Sequence, residues 1–283
     1  MSFLGSFIIG RAWLAHPLAL LLAALVGGAA TSQAQSQTRT QPQSTATDPA
    51  CKGQVYLTLD TGNMRDAELI AAVLRRHRVL ATFFLANELT PRGDHSLDSS
   101  WASYWKARVE EGHRFGSHTF DHVYFRSARP EQAATGAFVA RPQFGPAAGR
   151  DQVWQREQLC GELRRVEDRL RELTGRSLDP WWRAPGGRAP AVTMHAAEQC
   201  GFRHVHWADA GFLGDELPSD KFPNDRLLAQ ALARVRNGDI LMAHLGIWSR
   251  KDSFAPMLDP LIEGLKRKGL CFATLDQHPD YRR

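Results

Sequence analysis

The chain has 283 residues, of which 43% are hydrophobic, 23% charged and 9% aromatic, a profile that excludes a disordered or collagen-like polymer and provides one barrel-sized core. Its formal net charge of +5 comes from 35 basic and 30 acidic residues scattered along the sequence. No basic stretch forms a nucleic-acid footprint, so nucleic acid is not an expected partner.

Residues 1–34 have the layout of a secretory signal peptide: Arg11, an apolar run from Pro17 to Val26, then small residues ending at Ser32-Gln33-Ala34. The apolar run is far short of the ~20 residues that span a bilayer. The expectation is export with cleavage near Ala34, a periplasmic or extracellular location, and no stable membrane insertion afterwards. Residues 35–50 are rich in Gln, Ser and Thr without apolar period and read as a flexible linker. Residues 51–283 are left as one domain, expected to be a monomer.

From residue 54 onward, short β-branched and aromatic runs alternate with helical patterns. The strand runs are 54–59, 79–86, 113–118, 180–184, 202–207, 239–243 and 270–275. Helical periodicity is clearest at 66–78, 153–173 and 257–268. Strand–helix alternation implies parallel pairing with helices outside, and seven units point to an α/β barrel, incomplete or distorted relative to eight. An open doubly wound sheet is the alternative, but no G-x-G-x-x-G turn follows the first strand. Residues 123–151 break the rhythm and read as a long inserted loop over one face.

Four cysteines are too few for a disulfide scaffold, yet an exported chain can keep individual bridges. Cys51 precedes the first strand and Cys271 begins the last; these strands would be neighbours in a closed barrel, so a Cys51–Cys271 bridge is expected. Cys160 and Cys200 fall in helical stretches and read as small buried apolar residues.

Asp60, His118, Arg183, Asp209 and His244 all fall at or just after the carboxyl ends of strand runs, the rim on which barrel enzymes assemble their sites. Each alone has an ordinary explanation in turn chemistry or surface polarity. Five at one rim point to a functional site. His118 and His122, four apart in HTFDH, can converge on one metal ion from a helix face or a tight turn. Among the tryptophans, Trp101, Trp105, Trp181 and Trp182 default to core packing, whereas Trp248, close after His244, is the best candidate for stacking on a sugar ring.

Across roughly residues 52–276 the chain resembles the NodB-type polysaccharide deacetylases, carbohydrate esterase family four. The resemblance rests on LTLDTGN at 57–63, TFFLAN at 82–87, GSHTFDH at 116–122, WRAPGG at 182–187 and ILMAH at 240–244, in that order. It implies a distorted (β/α)7 barrel and hydrolysis of acetyl groups from a polysaccharide substrate, mostly N-acetyl groups of amino sugars as in peptidoglycan or chitin-like polymers. By the same resemblance, Asp60 is the general base, and His118 and His122 hold a divalent metal, zinc by family habit. Arg183 keeps Asp60 ionised, His244 is the general acid, Asp209 is its carboxylate partner, and an N–H near Gly186 meets the oxyanion.

Two departures stand out. The family's second aspartate, a third metal ligand, is Thr61 here, which leaves two histidines and water. Where the family has D-x-x-D-W, this chain has WADAGFLGDE at 207–216, so Asp215 rivals Asp209. The alternatives are a non-catalytic sugar-binding barrel that has lost its metal, and amide or imide hydrolysis of a small molecule, which an exported chain disfavours.

Overall fold

The computed structural model describes residues 51–282. The expected signal segment, 1–34, and linker, 35–50, lie outside the described residues. The first strand, β1 (Gly53–Asp60), is buried along its last six residues, as a strand enclosed by both barrel interior and helices must be. Helix α1 (Ala67–His77) turns Ile70, Val73 and Leu74 inward and ends at Arg78 in a left-handed conformation. Next come β2 (Thr82–Leu85), α2 (Ala102–Glu110) and β3 (Arg114–Ser117). After an insertion, the rhythm resumes with α4 (Arg156–Thr174), β7 (Trp181–Trp182), α5 (Ala191–Gln199) and β8 (Arg203–His204). The last units are α6 (Asn224–Arg234), β9 (Ile240–His244), α7 (Leu258–Arg267) and β10 (Leu270–Ala273).

Seven strands pair in parallel in one curled sheet, in agreement with the expected distorted (β/α)7 barrel. The distortion has two identifiable sources. Tyr56 is in register with both Ala273 and Ile240, and Thr58 with both Thr82 and Met242. One edge of β1 therefore carries β9, while the other carries β10 and then β2. The second source is the seam between β8 and β9, where the chain beyond β8 meets β9 through a bond from the Ala208 N–H to the Ile240 carbonyl and a bridge from Phe212 to Met242. The core beside β2 is aromatic: Phe83 stacks on Phe115 and meets Trp105 edge-on, all three with essentially no exposure. Trp101, Trp181 and Trp182 are also buried, as expected.

The 123–151 segment is not a structureless loop. It holds β4 (Tyr124–Ser127), a one-turn helix α3 (Pro130–Ala133) and β5 (Phe138–Arg141), joined antiparallel to β6 (Gln152–Trp154). These strands are too short and too interrupted by Pro and Gly to show a period. The sheet is held by tertiary packing: Phe125 meets Phe138 and Trp182 edge-on at 5.8 and 5.9 Å.

The Cys51–Cys271 bridge is present, consistent with β1 lying beside β10. Cys160 and Cys200 overturn their expectation, since they form a second disulfide tying α4 to α5. Helix periodicity places each cysteine on its own helix but says nothing about which faces meet. Closing a loop 40 residues apart in sequence restrains the unfolded chain by an amount worth about 3–4 kcal/mol. The Cys160→Ser/Cys200→Ser double variant should lose that much unfolding free energy in a denaturant titration with the fold retained. An unchanged midpoint would show that the bridge adds nothing to stability.

Candidate active site

The carboxyl ends of the parallel strands open onto a cleft of about 270 Å³ whose walls include Asp60, Glu88, His118, His122, Glu216 and His244. The end of β1 can reach the loop after β9 because residue 62 is glycine: a Cβ there would lie 2.1 Å from the Gly246 carbonyl oxygen. Asp60 ends β1 with 2% exposure, and Arg183, directly after β7, is fully buried. The Arg183 guanidinium donates to Asp60 Oδ1 at 2.8 Å and to the Val205 carbonyl at 3.2 Å. It also lies over the Phe84 ring at 4.3 Å. Burial alone would raise the Asp60 carboxyl, but the Arg183 guanidinium, with the charged His244 farther off, outweighs it and holds the group below its ordinary range.

His118 follows β3, and its Nδ1 is 2.9 Å from the Arg183 carbonyl oxygen. A carbonyl can only accept, so Nδ1 carries the proton and the Nε2 lone pair is left facing the cleft, 3.7 Å from Asp60 Oδ2. Burial, with Arg183 and His122 nearby, overrides the pull of Asp60 and lowers the His118 pKa to about 3. The imidazole is therefore neutral, with one nitrogen anchored and the other free. His122 lies beside it, ring centroids 5.0 Å apart.

The two histidines sit on a tight turn rather than a helix. Thr119 and His122 both adopt left-handed backbone, at φ 61° and 47°, and the Thr119 hydroxyl accepts the Val123 N–H. Below the turn, the Asp121 N–H donates to Glu162 on α4, and Arg165 donates to both the Asp121 and Glu162 carboxylates. This partly buried network secures a turn that local sequence would not stabilise.

His244 ends β9 with its Nδ1 3.1 Å from Asp215 Oδ1, and its backbone N–H donates to the same carboxylate at 2.6 Å. Its Nε2 faces the cleft, 3.9 Å from Glu216 Oε2. Burial would lower this pKa, but Asp215, Asp60 and Glu216 raise it to about 10. Asp209 does not belong here. It is exposed in a single helical turn, Asp209–Gly211, on the wall of a different cavity. The loop after β8 carries the chain past that turn before it reaches the rim, so Asp215 meets His244.

The upper wall is aromatic. Trp248 is 58% exposed and Tyr124, from β4, 42% exposed, and both line the cleft. Trp207 packs so tightly against Gly187, at φ 69°, that a Cβ there would lie 2.3 Å from the indole. Glu88, Glu216 and Tyr124 were not singled out from sequence. Glu88 carried a usable signal, since it lies three residues beyond a strand whose neighbours end in Asp60 and His118.

Two adjacent imidazoles, that of His118 anchored at Nδ1 with a free Nε2, are a donor pair suited to a divalent ion. Among the described residues, no three Asp, Glu, His or Cys side chains stand as a closed cage.

Because the His244 pKa is raised, its favourable charge contributes fully below the unfolded value near 6.5 and is lost as pH rises through about 10. Asp215→Asn removes the chief cause of that rise. The His244 ring resonances, followed by NMR, should then titrate at lower pH than in the parent. An unchanged titration would show that Asp215 does not set this charge.

The polysaccharide deacetylase family model matches residues 47–205. A peptidoglycan-N-acetylmuramic acid deacetylase of Bacillus subtilis is 24% identical over 226 residues, covering 78% of this chain and 70% of the relative. Among solved structures, the Bc1960 peptidoglycan N-acetylglucosamine deacetylase superposes with a TM-score of 0.59 at 23% identity, covering 83% of this chain and 92% of that one. A CE4 family pseudoenzyme from Bacillus anthracis superposes with a TM-score of 0.57 at 18% identity, over 80% and 65% of the two chains. With over half its length matched by the family and its strands in the same curled barrel, this chain belongs to the polysaccharide deacetylases, hydrolases of carbon–nitrogen bonds.

Proposed function

We propose that this chain removes acetyl groups from N-acetylated amino sugars of a polysaccharide, of the peptidoglycan or chitin-like kind. The observation that carries this reading is the pairing of two oppositely prepared groups across one cleft: Asp60 held ionised by Arg183 and His244 held protonated by Asp215. Asp60 takes a proton from water as its oxygen attacks the acetyl carbonyl carbon. The carbonyl π electrons move to oxygen, where backbone N–H groups near Gly186 would meet the developing charge. Collapse of the tetrahedral adduct breaks the C–N bond, and His244 Nε2 delivers its proton to the departing sugar nitrogen. Acetate and a free amine result. His118 and His122 would hold a divalent ion, zinc by donor type, which when bound supplies Lewis-acid polarisation of the carbonyl and a more acidic water.

Export is part of the proposal. All four cysteines of the chain are paired in the two disulfides, an arrangement that persists in oxidising compartments. No helix among the described residues is long and apolar enough to cross a membrane. Trp248 and Tyr124 supply flat apolar faces for sugar rings.

The second reading is a non-catalytic sugar-binding barrel. It draws on Thr61, whose hydroxyl is taken up by the Ala86 N–H and the Glu88 carboxylate, and on the lack of a closed metal cage among the described residues. The intact Asp60–Arg183 and His244–Asp215 pairs weigh against it, because sugar binding needs no prepared base and acid.

Acetate release from peptidoglycan, chitin oligomers and acetylated xylan, metal-stripped and with added zinc, tests the choice. Release is expected, and Asp60→Asn should lower it about 10²–10⁴-fold with the fold intact. Glycan binding with no acetate release under any condition would favour the binding module. Trp248→Ala should raise KM for polymer with little change in kcat. A fall in kcat alone would take Trp248 out of sugar binding.

A further inference from the structure

We infer that Glu88 is the anionic donor of this chain's metal site, replacing from β2 the carboxylate that Thr61 cannot offer from β1. The inference deepens the deacetylase reading and rests on it for the use made of the metal. β2 lies between β1 and β3 in the sheet, so residues just past its end stand between Asp60-Thr61 on one side and His118 on the other. Glu88 occupies that place. Ser96 clamps its backbone, accepting its N–H at 3.0 Å and donating a backbone N–H to its carbonyl at 2.8 Å.

The Thr61 hydroxyl is fully committed. Its oxygen accepts the Ala86 N–H at 3.0 Å, and its proton goes to Glu88 Oε1 at 2.9 Å. Thr61 is thus an orienting group behind a carboxylate rather than a ligand that has been lost. Such supporting groups matter to metal sites about as much as some ligands do.

Charge matching supplies the independent reason. Glu88 is only 8% exposed and lines the cleft with His118 and His122. Asp60 has Arg183 and Asp215 has His244, but among the described residues no cationic side chain lies within ion-pair distance of Glu88. Its Oε1 has the Thr61 hydroxyl, and no hydrogen bond reaches its Oε2 among the described residues. Glu88 Oε2 is therefore an uncommitted anionic donor on the wall that His118 and His122 share, the donor type that a divalent cation held by imidazole nitrogens takes as its third ligand. Among the described residues the three donors do not stand as a preformed cage, so binding an ion must draw them together.

The test is metal binding itself. Metal-stripped protein is titrated with Co²⁺, followed by its visible absorption, and with Zn²⁺ by calorimetry and by displacement of cobalt. His118→Ala should abolish binding. Glu88→Gln should weaken it at least tenfold and alter the cobalt spectrum, and Glu88→Asp, keeping the charge, should recover part of the affinity. Thr61→Val, which removes only the hydroxyl, should weaken binding about 10–100-fold. Asp209→Asn, on the wall of a different cavity, should leave metal affinity and the cobalt spectrum unchanged. Melting of each metal-free variant confirms folding, and the Asp and Val variants carry the test if the Gln variant fails to fold. Parent-like affinity and spectrum in Glu88→Gln, with loss in His118→Ala, overturns the inference, as does a parent chain that binds neither metal. Acetate release without metal would refute the metal site but leave the deacetylase standing. Glu88-dependent metal binding with no acetate release would do the reverse.

Discussion

Arg183 is the residue on which the cleft depends. Its side chain holds Asp60 ionised, and its carbonyl oxygen fixes the tautomer of His118. Stripping water from a guanidinium and a carboxylate is expensive, and the pair has almost no exposure. The site tolerates this because the contact is direct and the cation lies over the Phe84 ring. The pair also joins the ends of β1 and β7, two strands with β2 and β3 between them. A single residue thus ties the curvature of the sheet to the protonation of the groups at its rim.

The cleft separates two histidines of the same chemistry into opposite states. His118 donates to a neutral carbonyl with a guanidinium nearby, so burial prevails and it stays neutral. His244 donates to a carboxylate, and Asp215 with the acidic neighbours overcomes burial and keeps it charged. One fold therefore offers a lone pair for binding and a proton for donation within the same space. In this arrangement, Glu88 is the one well-buried cleft carboxylate without its own counter-charge among the described residues.

The motif residues were legible because chemistry and position coincide. Asp60, His118 and His244 fall at the ends of strand runs, and a parallel barrel brings all such ends to one rim. Arg183 was visible for the same reason. Asp209 misled because nearness in sequence to a strand end is a poor guide once the chain leaves the strand; the intervening helical turn carries it away and delivers Asp215. Glu88 went unremarked because its significance lies in a hydrogen bond to Thr61, between groups 27 residues apart in sequence. The small sheet β4–β5–β6 had no local signature, since its strands are held by Phe125, Phe138 and Trp182 rather than by their own periodicity.

The alternation of strand and helix, the barrel class, the rim location of the site and the Cys51–Cys271 neighbourhood follow from patterns of period and order that a linear chain displays. The remaining features depend on distances between residues remote in sequence. These include the Cys160–Cys200 bridge, the Asp215–His244 pair, the α4 network under the histidine turn and the Thr61–Glu88 contact. They are properties of packed faces, and hydrophobic periodicity states which face is buried without stating what it is buried against.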